Sequence, residues 1–220
     1  YYSKIDSITR ALGLIGMQQL RDLALAVSIK VSFGEVPNQV LSIESFWKHN
    51  IACGILSRNI ATYRREANQE RFFVIGMLHD VGILVMCSAI PENVMEMLQG
   101  RADFDAPYHI LEQKYFGFDH SAVGSALLTQ WKIPLNISEP VASHHSPASA
   151  LQYPMEAATL HLADIICHTM NYSQAKDKFI PAIDDTAWRM LDIPVNQLDT
   201  IIKQSESQIE ETCAILSEEA

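Results

Sequence analysis

The chain has 220 residues, of which 48% are hydrophobic and 19% charged, enough apolar material for a buried core and no signature of general disorder. Sixteen basic against 26 acidic residues leave a formal net charge of −10, and the one adjacent basic pair of note is Arg64-Arg65. Binding nucleic acid through its phosphates needs a basic face, so that class is excluded, and no nucleic-acid partner is expected. The densest apolar stretches, Leu23–Val27 and Ile83–Cys87, fall far short of the ~20 residues a membrane helix needs, so no membrane association is expected.

Helical periodicity dominates from the start. Ile5, Ile8 and Leu12 repeat at helical spacing before Gly13, and Leu20, Leu23, Ala24, Val27 and Val31 form one stripe of a second helix from about Met17. Gly34, Pro37 and Asn38 mark a loop. A long helix is predicted over 43–64, another over 70–81, and a third over 83–98 broken at Pro91. After a loop at 100–107, helices are predicted over 108–116, 120–131, 135–145 and 155–170. Pro134 falls in a first turn, where its missing N–H does no harm, whereas Pro140 predicts a later start or a bend. Beyond Ser173 the texture turns polar, with weaker helices over 188–191 and 198–215. Five glutamates follow Lys203 without a basic residue, which predicts a surface helix or a tail. No stretch alternates with period two, so the fold class is all-α.

The ends and the cysteines bear on context. The opening Tyr1-Tyr2-Ser3-Lys4 has neither an initiator Met nor a signal-peptide pattern, so the chain is expected to be a piece of a longer cytoplasmic polypeptide. Cys53, Cys87, Cys167 and Cys213 lack CxxC spacing and read as reduced, mainly core, residues.

The informative pattern is where ionisable groups fall on apolar faces. His49 shares a stripe with Ala52, Cys53, Leu56 and Ile60. His79 follows Phe72 and Ile75, and Asp80 follows Phe73, Gly76 and Met77. His120 precedes Val123, Gly124, Leu127 and Trp131; His144 and His145 extend Ile137 and Val141; Asp164 is the lone charge between Ala157 and Cys167. Two aspartates and five histidines aimed inward are costly to bury separately and become tolerable where they converge on one another or on a cation. Imidazole with carboxylate is a donor set for Zn, Fe, Mn or Ni. Neighbours on a helix point ~100° apart, so His79 and Asp80 reach one ion only from beside their helix, with His49 and Asp164 as completing ligands. Gly82 is read as letting the backbone end or turn there. His109 and His161 are placed on solvated or partly buried faces, His168 is read as packing, and Trp47 as a core anchor. No GxSxG elbow and no glycine-rich phosphate loop is present.

The order His49, His79-Asp80, Asp164 resembles the H…HD…D signature of the HD superfamily of metal-dependent phosphohydrolases. Closer still is the resemblance to the HDOD domain, an HD-related output domain of bacterial signalling proteins. It is carried by FWKHNIACGILSRNIA, FFVIGMLHDVGIL, FGFDHSAVGSALLTQWKIP and HLADII, with the N-terminal YYSKIDSITRALGLIGMQQLRDLALA. This resemblance implies an HD-like helical bundle with additional N- and C-terminal helices: truncated N-terminal helices over 1–37, the core over 38–175 and an acidic helical extension or tail over 176–220. It implies a regulatory module that binds a partner protein or small ligand, attached to a sensor or receiver module in the same polypeptide. It also implies a divalent metal (Fe, Mn, Zn or Ni) on His49, His79, Asp80 and Asp164. A second metal on His120, His144 and His145 is implied by likeness to the HD-GYP branch. That branch has lysine where Ile83 stands, and a glutamate and a GYP segment where Ser146 and Pro147 stand, so its cyclic-di-GMP phosphodiesterase activity is not expected. The alternative is a metal-dependent phosphohydrolase of the wider superfamily.

Overall fold

A computed structural model describes residues 40–100, 106–172 and 180–217. The helices expected before residue 34 lie outside the described residues. Within them the chain forms ten α-helices and one 3₁₀ turn, and no strand. The helices are α1 (Ile43–Tyr63), α2 (Gln69–Leu78), α3 (Val81–Ala89), α4 (Pro91–Gln99) and α5 (Tyr108–Phe116), then α6 (His120–Gln130), α7 (Leu135–Ser143), α8 (Pro154–Thr169), α9 (Asp185–Leu191) and α10 (Val195–Ser217).

Helix α1 is the mast. The Ser42 hydroxyl caps it by accepting the Ser45 N–H at 3.3 Å, and α2, α8 and α10 all pack against it. Phe46, Ile51, Ile55, Leu56 and Ile60 on this helix are fully buried. Helix α2 crosses it at Gly54 and Gly76, where a Cβ on Gly76 would stand 2.5 Å from the Gly54 nitrogen. Only two residues without side chains allow that approach.

The helix expected over 70–81 ends at Leu78, and His79 and Asp80 occupy the turn into α3. One apolar stretch is longer than the sequence reading expected. Gln69–Ala89 taken as one stretch is long and apolar enough to cross a membrane, but it is split in the middle and 78% of its most apolar window is buried in the protein. Pro91 opens α4, where a missing N–H costs nothing. Pro140, by contrast, sits inside α7, which starts at Leu135 and continues through it.

Gly82 does not serve the turn. A Cβ there would fall 1.9 Å from the His120 carbonyl oxygen, so its role is to let α3 lie against the first residue of α6. Asp119 caps α6 by accepting the Ala122 N–H at 3.0 Å. The Glu139 carboxylate accepts the N–H groups of Leu151 (3.3 Å), Gln152 (2.9 Å) and Tyr153 (2.6 Å), fixing the entry to α8. The acidic C-terminal segment is a helix, α10, seated on α1 through buried Ile201, Ser205, Ile209 and Thr212.

Candidate metal centre

Each ionisable group of the centre is delivered by an element whose apolar remainder is anchored in the core. His49 comes from the second turn of α1, His79 and Asp80 from the α2–α3 turn, and His120 from the first residue of α6. His144 and His145 follow the last residue of α7, and Asp164 lies on α8. His49, His79, Asp80, His120, His144 and Asp164 are all buried, and His145 is half-buried.

The side chains meet. His49 Nε2 lies 3.2 Å from His79 Nε2, 3.2 Å from Asp164 Oδ1 and 3.5 Å from Asp80 Oδ2. Asp80 Oδ2 is 3.2 Å from His79 Nε2, while its Oδ1 faces the other way, 3.3 Å from His120 Nε2 and 3.9 Å from His144 Nε2. His145 Nε2 is 2.9 Å from His120 Nε2. Asp80 therefore stands between two groups: His49, His79 and Asp164 on one side, and His120, His144 and His145 on the other.

The outer nitrogens decide the chemistry. His79 Nδ1–H donates to the Gly76 carbonyl (2.7 Å), His144 Nδ1–H to Val141 (2.7 Å) and His49 Nδ1–H to Tyr172 (2.9 Å). His120 Nδ1–H donates to the buried Glu112 carboxylate at 2.5 Å, and Glu112 also accepts the His120 backbone N–H at 2.9 Å. These partners fix the Nδ1–H tautomer of each neutral ring, so that every Nε2 faces inward and offers a lone pair once its proton is gone. Two such lone pairs 3.2 Å apart, on His49 and His79, repel unless a cation or a proton lies between them. His144 Nε2 is fully buried without a hydrogen-bond partner. Carbonyl and carboxylate partners on the outer nitrogens are the arrangement that orients metal-bound histidines, so the donor set fits a divalent ion.

Protons hold the same charges apart from an ion. Burial raises the pKa of a carboxylate, yet the His79 and His120 rings hold Asp80 well below the usual range, and His49 and His168 hold Asp164 low. Burial depresses an imidazole, yet the carboxylates win at His49 and His79, and Glu112 with Asp80 holds His120 well above its ordinary value. His144, buried beside His79 and His120, is pushed down to about 3, and His145 is depressed by burial and by the neighbouring rings of His144, His120 and His109. An ion bound here would displace protons from His49, His79 and His120 rather than from the carboxylates.

The cluster forms the floor of a cavity of about 180 Å³. His49, Asp80, His120, His145, Asp164 and His168 line it on the polar side, with Val40, Leu41, Ile83, Leu98 and Pro107 among its apolar walls. Among the described residues no lysine or arginine reaches it.

Several readings change with the structure. His168 does more than pack: its Nε2 lies 3.5 Å from Asp164 Oδ1, and its ring lines the cavity. His161 is buried rather than solvated, with Nδ1 donating to the His144 carbonyl (2.8 Å) and Nε2 accepting the Asp184 N–H (3.0 Å). His109 is half-buried and stacks on His145 with ring centroids 3.9 Å apart and planes 15° from parallel. Trp47 is a core residue, edge-on to Phe46. Glu112 went unnoticed in the sequence, although its i−4, i+3 and i+4 neighbours, Tyr108, Tyr115 and Phe116, place it on an aromatic helical face where a carboxylate needs a partner.

Comparison with known proteins agrees with this architecture. The HDOD domain family profile matches residues 1–147. An uncharacterized protein of Treponema pallidum (strain Nichols) is 27% identical over 94 residues, covering 42% of this chain and 18% of that protein. The matched stretch thus spans under a fifth of that relative's length. Among solved structures, a candidate phosphohydrolase of Shewanella amazonensis SB2B superposes with a TM-score of 0.74 at 22% identity, over 96% of this chain and 77% of the other. An HDOD domain protein of unknown function from Geobacter sulfurreducens gives 0.72 at 21%, over 97% and 74%. A candidate signal-transduction protein of Marinobacter aquaeolei VT8 gives 0.75 at 13%, over 97% and 48%. At these identities the likeness is one of fold.

Proposed function

Because this chain belongs to the HDOD domain family, we propose that it is a signal-transduction output module whose His/Asp centre holds divalent transition metal and whose adjoining cavity receives a small ligand. His49, His79, Asp80 and Asp164 hold one ion; His120, His144 and His145 are placed for a second. The carrying observation is the convergence of the His49 and His79 Nε2 lone pairs at 3.2 Å with both Nδ1–H groups committed to backbone carbonyls. A bound ion supplies Lewis acidity and a fixed positive charge at the cavity floor. Around it, this chain's residues orient the ligands and line the cavity with apolar walls.

The module acts on its signalling partner, a protein or a sensor or receiver module of the same cytoplasmic polypeptide, through the surface of this bundle. Ile83 on the cavity wall supports a regulatory role over a hydrolytic one, since the HD-GYP branch has lysine at that position. One observation favours the second reading, a metal-dependent phosphohydrolase: the donor set is complete and opens on a cavity.

Elemental analysis of the purified protein, followed by a phosphodiester assay with Mn²⁺ or Fe²⁺, separates the two. Stoichiometric metal without turnover is expected. Turnover that disappears in Asp80→Ala would establish the hydrolase instead, and a metal-free protein that takes up no ion would overturn the metal centre altogether.

A further inference from the structure

The cavity over the centre has a definite size and a definite charge. Its apolar side is built by Val40, Leu41, Ile83, Leu98, Pro107 and Pro181, and its floor by the His/Asp centre. An apolar cavity of about 150 Å³ takes benzene, so one of about 180 Å³ takes a molecule of roughly seven or eight heavy atoms. We propose that the cavity is a site for a short aliphatic monocarboxylate of about five or six carbons, with its carboxylate at the metal-bearing floor and its chain along the apolar walls. The inference rests on the metal-holding reading above, in its two-ion form, and names the ligand class which that reading leaves open.

Charge selects the head group. Asp80, Asp164 and, behind His120, Glu112 are buried carboxylates, and the imidazoles that ligate an ion are neutral. Two divalent ions against these three carboxylates leave one positive charge, and an unbalanced charge is costly to bury. A single carboxylate cancels it. Among the described residues no lysine or arginine lines the cavity to balance the further charges of a phosphate monoester or a polyphosphate. A nucleotide is also several times too large for the volume.

The walls select the tail. Leu41 and Ile83 are buried in the core, and Val40 and Leu98 pack against it half-buried, so the surface is held in place by the fold. Each methylene laid against it leaves water for carbon and strengthens binding about fourfold. That gain ends when the volume is full. A chain beyond about six carbons must leave its end in solvent or displace the wall.

Calorimetric titration of the metal-loaded full chain with butyrate, hexanoate and octanoate tests this, with metal content measured on the same sample. Affinity is expected to rise about sixteenfold from butyrate to hexanoate and to gain little from hexanoate to octanoate. Hexanol, which lacks the charge, is expected to bind roughly 100-fold more weakly than hexanoate, and adenosine monophosphate not detectably. Leu98→Trp fills part of the cavity without altering a metal ligand and is expected to move the plateau to a shorter acid. Affinity independent of chain length, or hexanol binding as tightly as hexanoate, would overturn the ligand class and leave the metal centre standing. Adenosine monophosphate binding more tightly than hexanoate would overturn it equally. Uptake of a single ion would overturn the charge balance and with it the inference, and uptake of none would remove the metal reading as well.

Discussion

The two sides of the centre are built differently. On the His49 side the donors come from α1, the α2–α3 turn and α8, elements fixed by the apolar core, and the thiols of Cys53 and Cys167 lie beneath them. On the His120 side they come from helix ends, His120 opening α6 and His144-His145 closing α7, and a buried carboxylate, Glu112, stands behind them. Rings on both sides are fixed through their Nδ1–H groups, on the first side by backbone carbonyls, whereas His120 on the second leans on a buried carboxylate. A charged partner is costlier to lose than a neutral one.

Substitutions can break or sharpen that contrast. The largest effect is expected from Asp80→Ala, because Asp80 turns one oxygen to each side: bound metal should fall on both, measured by elemental analysis after dialysis. Gly82→Ala comes next. Its new Cβ would meet the His120 backbone oxygen at 1.9 Å, and backbone cannot swing aside as a side chain does. Destabilisation of about 3 kcal/mol is expected in chemical denaturation, with the His120 side disturbed first.

Glu112→Gln tests the carboxylate-backed side alone. Loss of the charge behind His120 should weaken metal there by about 10–100-fold and leave the His49 side within error, as read by competition with a chelator. Equal weakening on both sides would show that the contrast is not real.

The smallest effect belongs to Asp119→Ala, which removes the cap of α6 at a cost of about 1 kcal/mol. The pH dependence has a definite sign. Its bonds to Gln113, Ser121 and the Ala122 N–H outweigh partial burial and lower Asp119 from 3.8 to about 2. A depressed carboxylate stabilises above its unfolded pKa, and that contribution is lost as pH falls from about 4 towards 2. The difference between wild-type and Asp119→Ala stabilities should therefore be full at neutral pH and shrink through that acid window.

Most of the helices were legible because their apolar residues repeat at helical spacing and their ends carry proline, glycine or a capping side chain. The meeting of His49, His79-Asp80, His120, His144-His145 and Asp164 was legible for another reason: inward polar groups must find each other. Other features were hidden. The end of α2 at Leu78 leaves no mark in an apolar run that continues on both sides of His79-Asp80. The close crossing at Gly54 and Gly76 depends on how two helices meet, which one-dimensional spacing does not record. Glu112 carries no motif, and His168, one turn beyond Asp164, reads as packing; only the fold shows that each faces a buried partner. Cys53 read as core, and it is core; what the sequence could not show is that His49, four residues earlier, turns its Nε2 to within 3.6 Å of the sulfur.

The polar pair in the α2–α3 turn has a bearing beyond ion chemistry. Gln69–Ala89 has a mean hydropathy of 1.9 over its most apolar window, a value a protein-insertion channel can mistake for a spanning segment as the nascent chain passes. An aspartate at the midpoint of such a segment costs roughly 2.5–3.5 kcal/mol for entry into lipid, and Asp80 lies near that midpoint. Its carboxylate thus biases the newly made stretch away from the bilayer and towards folding, before any bundle exists to bury it.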